Sequence, residues 1–319
     1  MQITPLDHTS EYYAELTRGA GYFIQPFWLG LFGDAVTAYA VVKGEEALAV
    51  FHLYVYKHLH KSFVINTPMS QHVGLFLLKK GGATYAAQSD TKRIVRAIAD
   101  FLKKQYPGAL IDFCLPANIS DVQPLLWSGL HASPRYTYRI DLTADEDTLL
   151  KAMSPERRKN IRQAEKAGYE VLKDKHPESV VGLVEQTLKR AGSPAHSEIL
   201  EAITHSGDDS IFFNAVMSAD KAVACAIAGA DDDTAYYLAG GHDADAGDSL
   251  AGSLALWRLM LEAKERGCRY FDLMGSSVPS IERYFRGFGA VLTPYFRVYS
   301  APGLTSMLQK LRHKMRASK

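Results

Sequence analysis

The second half of the chain switches repeatedly between apolar residues spaced three and four apart and apolar residues in alternation. Ser154-Pro155 offers an N-cap and an N1 proline and opens a helix that Gly168 closes. Before it, Thr143-Ala-Asp-Glu146 reads as the capping box of a shorter helix. Tyr169 to Lys173 alternates as a strand. Pro177 to Ala191 is helical, with Leu183, Val184, Thr187 and Leu188 on one face and Gly192 as its stop. Three strands follow near 210–217, 222–229 and 234–239, joined by turns at 218–221 and 231–233. A helix over about 250–266 carries Leu250, Leu254, Trp257 and Leu261 on one side. Strand 269–274, a short helix near 279–286 and strand 293–299 complete the half. A meander of strands followed by a β-α-β crossover predicts an α/β protein of the α+β kind, with a mixed sheet and no doubly wound core.

The same layout occurs twice. Residues 94–113, IVRAIADFLKKQYPGALIDF, align without a gap to 254–273, LALWRLMLEAKERGCRYFDL, 160 positions later. Each block is an amphipathic helix, a basic last turn, a glycine stop and a short apolar strand. Lys104 matches Lys264, Asp112 matches Asp272, and Gly129 falls opposite Gly289. Aromatic strands follow in both, at 136–142 and 295–299. Duplication of one domain is the economical reading. It predicts an N-terminal domain over 1–140 and a C-terminal domain over 141–302 that carries a donor-binding channel. A tail follows at 303–319, with Leu304, Met307, Leu308, Leu311 and Met315 at helical spacing among lysines and arginines. Such a basic amphipathic helix packs on its own domain or makes peripheral contact with an anionic membrane.

Composition narrows the classes. Of 319 residues, 47% are apolar and 22% charged, which excludes disorder. Lys and Arg number 36 against 35 Asp and Glu, so no general positive field draws in DNA, and tRNA would need a local basic patch. The start of the chain lacks a signal peptide pattern, and no run of about 18 apolar residues would span a bilayer. Cys114, Cys225 and Cys268 are widely spaced and odd in number. That argues against a disulfide framework or a metal site and for a reducing, cytoplasmic setting. Neither G-x-G-x-x-G nor a P-loop follows any strand.

The element order, with Gly241, Gly247 and Gly252 around the start of the 250–266 helix, resembles the Gcn5-related N-acyltransferase (GNAT) fold. A tandem pair of such domains is similar to the FemAB-like and BioF2-like acyltransferases. The residues carrying the likeness are Pro68, Gln71 and Gly74 in TPMSQHVG, the 154–171 helix and strand, FDLMGS at 271–276, and YFRGFGAVLTPYFRV at 284–298. The resemblance implies transfer of an acyl group to an amine. The donor is acyl-CoA, or aminoacyl-tRNA in the branch that builds peptidoglycan cross-bridges. It implies an acceptor amine on a small molecule, a sugar or a cell-wall precursor. The charge balance favours acyl-CoA. A third reading is a non-catalytic ligand-binding protein on the same fold.

Acyl transfer to an amine needs a neutral amine, donors for the oxyanion, a proton for the leaving atom and in-line positioning. By the resemblance, Tyr236 and Tyr237 lie beside the acyl group, where a phenol can donate to the leaving atom. Alternation aims only one of them at a given face. His242 titrates near neutrality and can accept a proton, and Asp272 can orient or deprotonate the amine. Arg286 stands where the FemAB-like pattern has a basic residue before Gly-x-Gly, which implies a charge-stabilising role. Gly240, Gly241, Ser249, Gly252 and Ser253 form the stretch where a GNAT enzyme cradles the CoA pyrophosphate at a helix N-terminus. The stretch departs from the usual R/Q-x-x-G-x-G/A, and Asp243, Asp245 and Asp248 oppose an anion there. FemAB-like proteins also lack the standard loop. Arg158, Arg162 and Lys166 share a helix face that an anionic substrate would dock on, or that is simply solvated. Arg190 follows a similar family position for substrate contact, and Gln71, with Pro68 and Gly74, lines an interdomain cleft for substrate or only shapes a turn.

Overall fold

Each half of the protein is built around a long helix packed on a mixed sheet; the helix over 85–105 buries one stripe, and the helix over 249–265 is buried over most of its surface. The computed structural model describes residues 1–300 apart from 59, 80, 81, 83, 245–248 and 276; the Ser249 side chain and the tail expected at 303–319 also lie outside the described residues. Within it the chain divides into two compact units. One is Met1–Arg135 with the chain from Pro294 onward, and the other is Tyr136–Thr293.

The first unit contains β1 (Gln2–Leu6), α1 (Glu11–Leu16), α2 (Pro26–Gly30), β2 (Val36–Lys43), β3 (Glu46–His58), β4 (Lys61–Ile65), β5 (Leu75–Leu77), α3 (Tyr85–Gln105), β6 (Leu110–Cys114) and α4 (Gln123–Trp127). The chain leaves it within β7 (His131–Asp141). The second unit contains α5 (Glu146–Ala152), α6 (Pro155–Lys166), β8 (Glu170–Lys173), α7 (Pro177–Arg190), α8 (Ser197–His205), β9 (Ile211–Ser218), β10 (Lys221–Ala230), β11 (Thr234–His242), α9 (Ser249–Glu265), β12 (Tyr270–Asp272) and α10 (Pro279–Arg286). The chain returns to the first unit within β13 (Val291–Tyr299).

The repeat is real in three dimensions. In the first unit the strand order is β1-β2-β3-β4-β6-β13, with β5 on β3, and in the second it is β8-β9-β10-β11-β12-β7. In each, four antiparallel strands lead to a parallel strand, β6 on β4 and β12 on β11, and an antiparallel strand pairs with its other side. The helix before each parallel strand supplies the core. Ile94, Val95, Ile98, Ala99 and Leu102 of α3 pack with Phe51, Val64, Ile111 and Phe113, and Leu254, Ala255 and Leu261 of α9 pack with Phe212, Ala226 and Phe271.

These last antiparallel strands depart from the sequence expectation, which kept each strand within its own half. In the first unit β6 pairs with the end of β13, where Arg297 sits opposite Cys114. In the second unit β12 pairs with the end of β7, where Arg139 sits opposite Asp272. The repeated aspartates account for this. Arg297 makes a two-pronged contact with Asp112, Nε at 2.5 Å and an Nη at 2.7 Å. Arg139 Nε lies 3.7 Å from Asp272. Each parallel strand thus carries a carboxylate, Asp112 within β6 and Asp272 at the end of β12, that takes an arginine from a strand encoded in the other half of the sequence.

Two local expectations change. The N-cap of α5 is Asp145, which accepts from Thr148 N–H, while Thr143 turns its hydroxyl and amide to Asp141. Sequence pattern predicts no element over 193–209, yet 197–205 forms α8. Its N-cap is His196 in a left-handed conformation, which makes no side-chain capping hydrogen bond. The cysteines are free, and burial pushes the Cys225 thiol up to about 12. No described helix is long and apolar enough to cross a membrane.

His52, in the core of the first unit, makes that core sensitive to pH. It is wholly buried, and its Nδ1 accepts the Gly74 N–H at 3.2 Å. Burial first, and then the charges of His72 and His8, hold its pKa down at about 3 instead of 6.5. The unfolded chain takes this proton near pH 6.5 and the folded chain only near 3, so stability is full above 6.5 and is lost as pH falls through that window. Urea unfolding between pH 7 and 5 should show wild type losing about 1.4 kcal/mol per pH unit more than His52→Asn once below 6.5. Equal slopes in the two proteins would contradict this assignment.

Candidate active site

β11 and β12 run side by side for three pairs, Thr234 with Tyr270, Ala235 with Phe271 and Tyr236 with Asp272, and then part. Asp272 causes the parting. Its buried carboxylate accepts from the Thr137 hydroxyl and from Met274 N–H at 2.8 Å, and faces Arg139. The Met274 amide is satisfied by this side chain instead of by a neighbouring strand. Met274 and Gly275 then adopt φ of 59° and 68°, which turns the chain away. A Cβ on Gly275 would lie 2.1 Å from the Tyr136 carbonyl oxygen, so only glycine fits the turn. β11 continues to His242, paired with β10 on one side. On its other side no strand pairs beyond Tyr236 among the described residues.

Tyr237 is the first residue past the parting. A bulge opposite Ile227 and Ala228 leaves Leu238 without a pairing partner. The extra residue puts Tyr237 and Gly240 on the same face of the sheet, the one packed on α9. The Tyr237 hydroxyl lies where a Gly240 Cβ would be, 1.8 Å from it, and its ring meets Phe285 edge-on at 5.8 Å. Tyr236 points to the opposite face. Burial holds both phenols protonated well above their ordinary pKa of 10.

Beyond β11 stands the start of α9, braced by a buried arginine. Ser154 caps α6 by accepting the Arg157 N–H, which sets Arg157 on the inward face. The Arg157 guanidinium donates to Ser253 Oγ at 2.9 Å and lies 4.6 Å over the Tyr284 ring. The Tyr284 hydroxyl donates to the Gly252 carbonyl at 3.0 Å. Neither Arg157 nor Tyr284 stands out in the sequence, although the signal for Arg157 is present there. Ile161 and Ala164 mark the core face of α6, and Arg157 is in phase with them at i−4 and i−7.

The other expected residues fall elsewhere. Asp272 is fully engaged by Thr137, Met274 and Arg139, which fits an anchor and leaves no lone carboxylate to act as a base. Arg286 is exposed and paired with Glu282 at 2.8 Å, so Phe285, not Arg286, faces Tyr237. His242 is exposed at the far end of β11, about 16 Å from Tyr237 at the rise of a strand, too far to share reacting atoms with it. Its pKa is pushed below 6.5 by partial burial and by Arg190, against Asp243. Arg190 donates to the His242 carbonyl at 2.6 Å and fixes the end of β11. Arg158 donates to the carbonyls of Lys151 and Met153, both at 2.8 Å, and so caps α5. Arg162 is exposed on α6. Gln71 is buried in the first unit, in a turn held by Asn66, whose Nδ2 donates to the Gln71 carbonyl at 2.9 Å.

The glycines of the expected phosphate cradle have packing roles. Gly240 makes room for the Tyr237 phenol. A Cβ on Gly241 would come within 2.4 Å of the Leu183 carbonyl, so Gly241 lets α7 approach β11. Ser253 is wholly buried under Arg157. Gly252 alone faces open space: a Cβ placed there would have nothing nearer than the Tyr284 hydroxyl at 4.0 Å. Asp243 is ion-paired with Lys221, so its charge is offset locally. Asp245, Gly247 and Asp248 lie outside the described residues.

Comparison with known proteins follows this geometry. Residues 155–286 match the acetyltransferase (GNAT) domain family. Among curated proteins, none matches the chain. Solved structures match it over nearly its whole length. FemX is 14% identical, with 93% of this chain and 97% of that one covered and a TM-score of 0.67. A conserved protein of unknown function from Bacteroides thetaiotaomicron is 12% identical, with coverages of 94% and 100% and a TM-score of 0.59. A tandem GNAT protein from the clavulanic acid biosynthesis pathway is 12% identical, with coverages of 95% and 99% and a TM-score of 0.52. At such identities the likeness speaks for the fold. Residues 155–286 therefore match the acetyltransferase (GNAT) domain family, in a chain that has the fold of FemX and of tandem GNAT structures over nearly its whole length.

Proposed function

We propose that the protein is an N-acyltransferase that moves an acyl group from acyl-CoA to an amine, with the parting of β11 and β12 as its donor site. The observation that carries this reading is the open edge of β11 from Tyr237 onward, directed toward the start of α9. An open strand edge offers backbone donors and acceptors to an extended, amide-bearing chain such as the pantetheine arm. The start of a helix favours the phosphates at the end of that arm. Offsetting of Asp243 by Lys221 removes one charge that would oppose them.

In the step itself the neutral amine attacks the thioester carbonyl carbon. The C–N bond forms, the C–S bond breaks, and the amine gives up a proton to solvent. Tyr237, kept protonated by burial, donates its proton to the departing sulfur and regains one from water. Arg157, Ser253 and Tyr284 hold the first turn of α9 and act as positioning residues. Asp272 fixes where β12 stops and so where the donor begins.

Release of free thiol from acetyl-CoA across a panel of amines tests the reading. Tyr237→Phe should lower turnover by about 10² or more while leaving the melting temperature close to wild type. Turnover within twofold of wild type would remove Tyr237 from the mechanism. If activity appears only with charged tRNA and is lost on RNase treatment, the donor is aminoacyl-tRNA. If neither donor is consumed, the protein is a binding module.

Asp272→Asn separates anchor from base. As an anchor it should cost roughly 1–3 kcal/mol of unfolding free energy and leave the acid limb of the pH–rate profile in place. Unchanged stability together with loss of that limb would make Asp272 the base.

A further inference from the structure

The second unit has a cavity of about 270 Å³ on the far side of its strand order from the parting of β11 and β12. It opens among the end of α6, the edge strand β8, β9 and the outer side of α9. Two buried acceptors on its lining have no hydrogen-bond partner. Asn214 is wholly buried, and its Nδ2 donates to the Ala255 carbonyl at 3.0 Å, which fixes the amide and leaves Oδ1 unpaired. Glu262 is 4% exposed. Its Oε1 accepts from Arg266 Nε at 3.2 Å and from an Nη at 3.0 Å, while Oε2 has no donor and only Lys173 Nζ at 3.9 Å.

Unpaired buried acceptors are costly, and the group that satisfies them must be a donor. The charge of the lining points the same way. Glu165, Glu262 and Glu265 face Lys173 and Arg258, a surplus of one negative charge. At the rim Glu165 pairs with Arg258 at 3.0 Å and Glu265 with Lys173 at 2.7 Å, so Glu262 holds the charge left over on the lining. Arg266 stands off the lining and is shared between Glu262 and Asp174, the latter at 3.6 Å. Val171, Leu254 and Leu261 supply apolar wall. The volume suits a few heavy atoms and is below that of a typical drug-sized pocket.

We propose that this cavity binds a small aliphatic ammonium ion, whose N–H groups donate to Asn214 Oδ1 and Glu262 Oε2 and whose alkyl part lies on Val171, Leu254 and Leu261. An ammonium carries three donors and no acceptor, which matches two open acceptors and one unbalanced charge. The site is separate from the proposed donor site, so the amine acts here as an effector that stabilises the α6–α9 end of the unit.

The test uses the full chain with butylamine, 1-butanol and butyrate, compounds of similar size that differ in charge and donors. Butylamine should raise the melting temperature and give a saturable calorimetric isotherm, and the other two should give neither. Glu262→Gln presents an amide in place of the free oxygen and should weaken butylamine by about tenfold or more. Val171→Phe fills the cavity from the edge strand, keeps both acceptors and should abolish binding even if Glu262→Gln fails to fold. Equal binding of 1-butanol, absence of saturable binding at millimolar butylamine, or binding that survives both substitutions would overturn the proposal. The last of these would place the amine elsewhere, including at the acyl acceptor position.

Discussion

The candidate site depends on one buried carboxylate. Asp272 ends β12 by taking the Met274 amide for itself, and the left-handed pair Met274-Gly275 then carries the chain off. Had β12 run on in register, the β11 edge beyond Tyr236 would be an ordinary sheet interior with no room for a substrate. The cost of burying the charge is offset by Thr137 and Arg139, both on β7. The parting is therefore built from three strands together and does not arise from a loose end.

Asp112 occupies the matching place in the first unit and meets Arg297 in two prongs. The pairing of aspartate and arginine thus recurs where each parallel strand meets its antiparallel neighbour. What differs is the strand before the parallel one. In the second unit β11 outlasts its partner by six residues and carries a bulge that aims Tyr237 and Gly240 at the same face. A one-residue insertion converts a repeated structural element into a place where chemistry can occur.

Much of the architecture was legible from pattern alone. The α6 cap at Ser154, the α7 stripe, the meander and the 160-residue repeat all follow from local spacing, because each element buries one face in a regular way. What the sequence hid were long-range facts. The exchange of strands between the two halves leaves the pattern of each strand unchanged, so periodicity carries no trace of it. The site residues fared unevenly for the same reason. Tyr237 stood out as an aromatic next to a glycine run. The basic helix drew attention to Arg158 and Arg162, whereas the buried member is Arg157, one step round the helix. Gly240 and Gly241 looked like a phosphate loop because close packing and phosphate binding ask for the same absent Cβ. Arg286 was singled out by the family pattern, and its partner Glu282 lies one helical turn away, a spacing that sequence shows but does not prove occupied.

The open edge of β11 is the central claim, and amide hydrogen exchange measures it directly. In the free protein, amides of residues 237–241 on the side away from β10 should exchange quickly, while those bonded to β10 stay protected. Saturating acetyl-CoA should slow the first set and leave β9 and β10 unchanged. Full protection of both sets without any ligand, or no change on adding acetyl-CoA to protein that consumes it, would contradict the account.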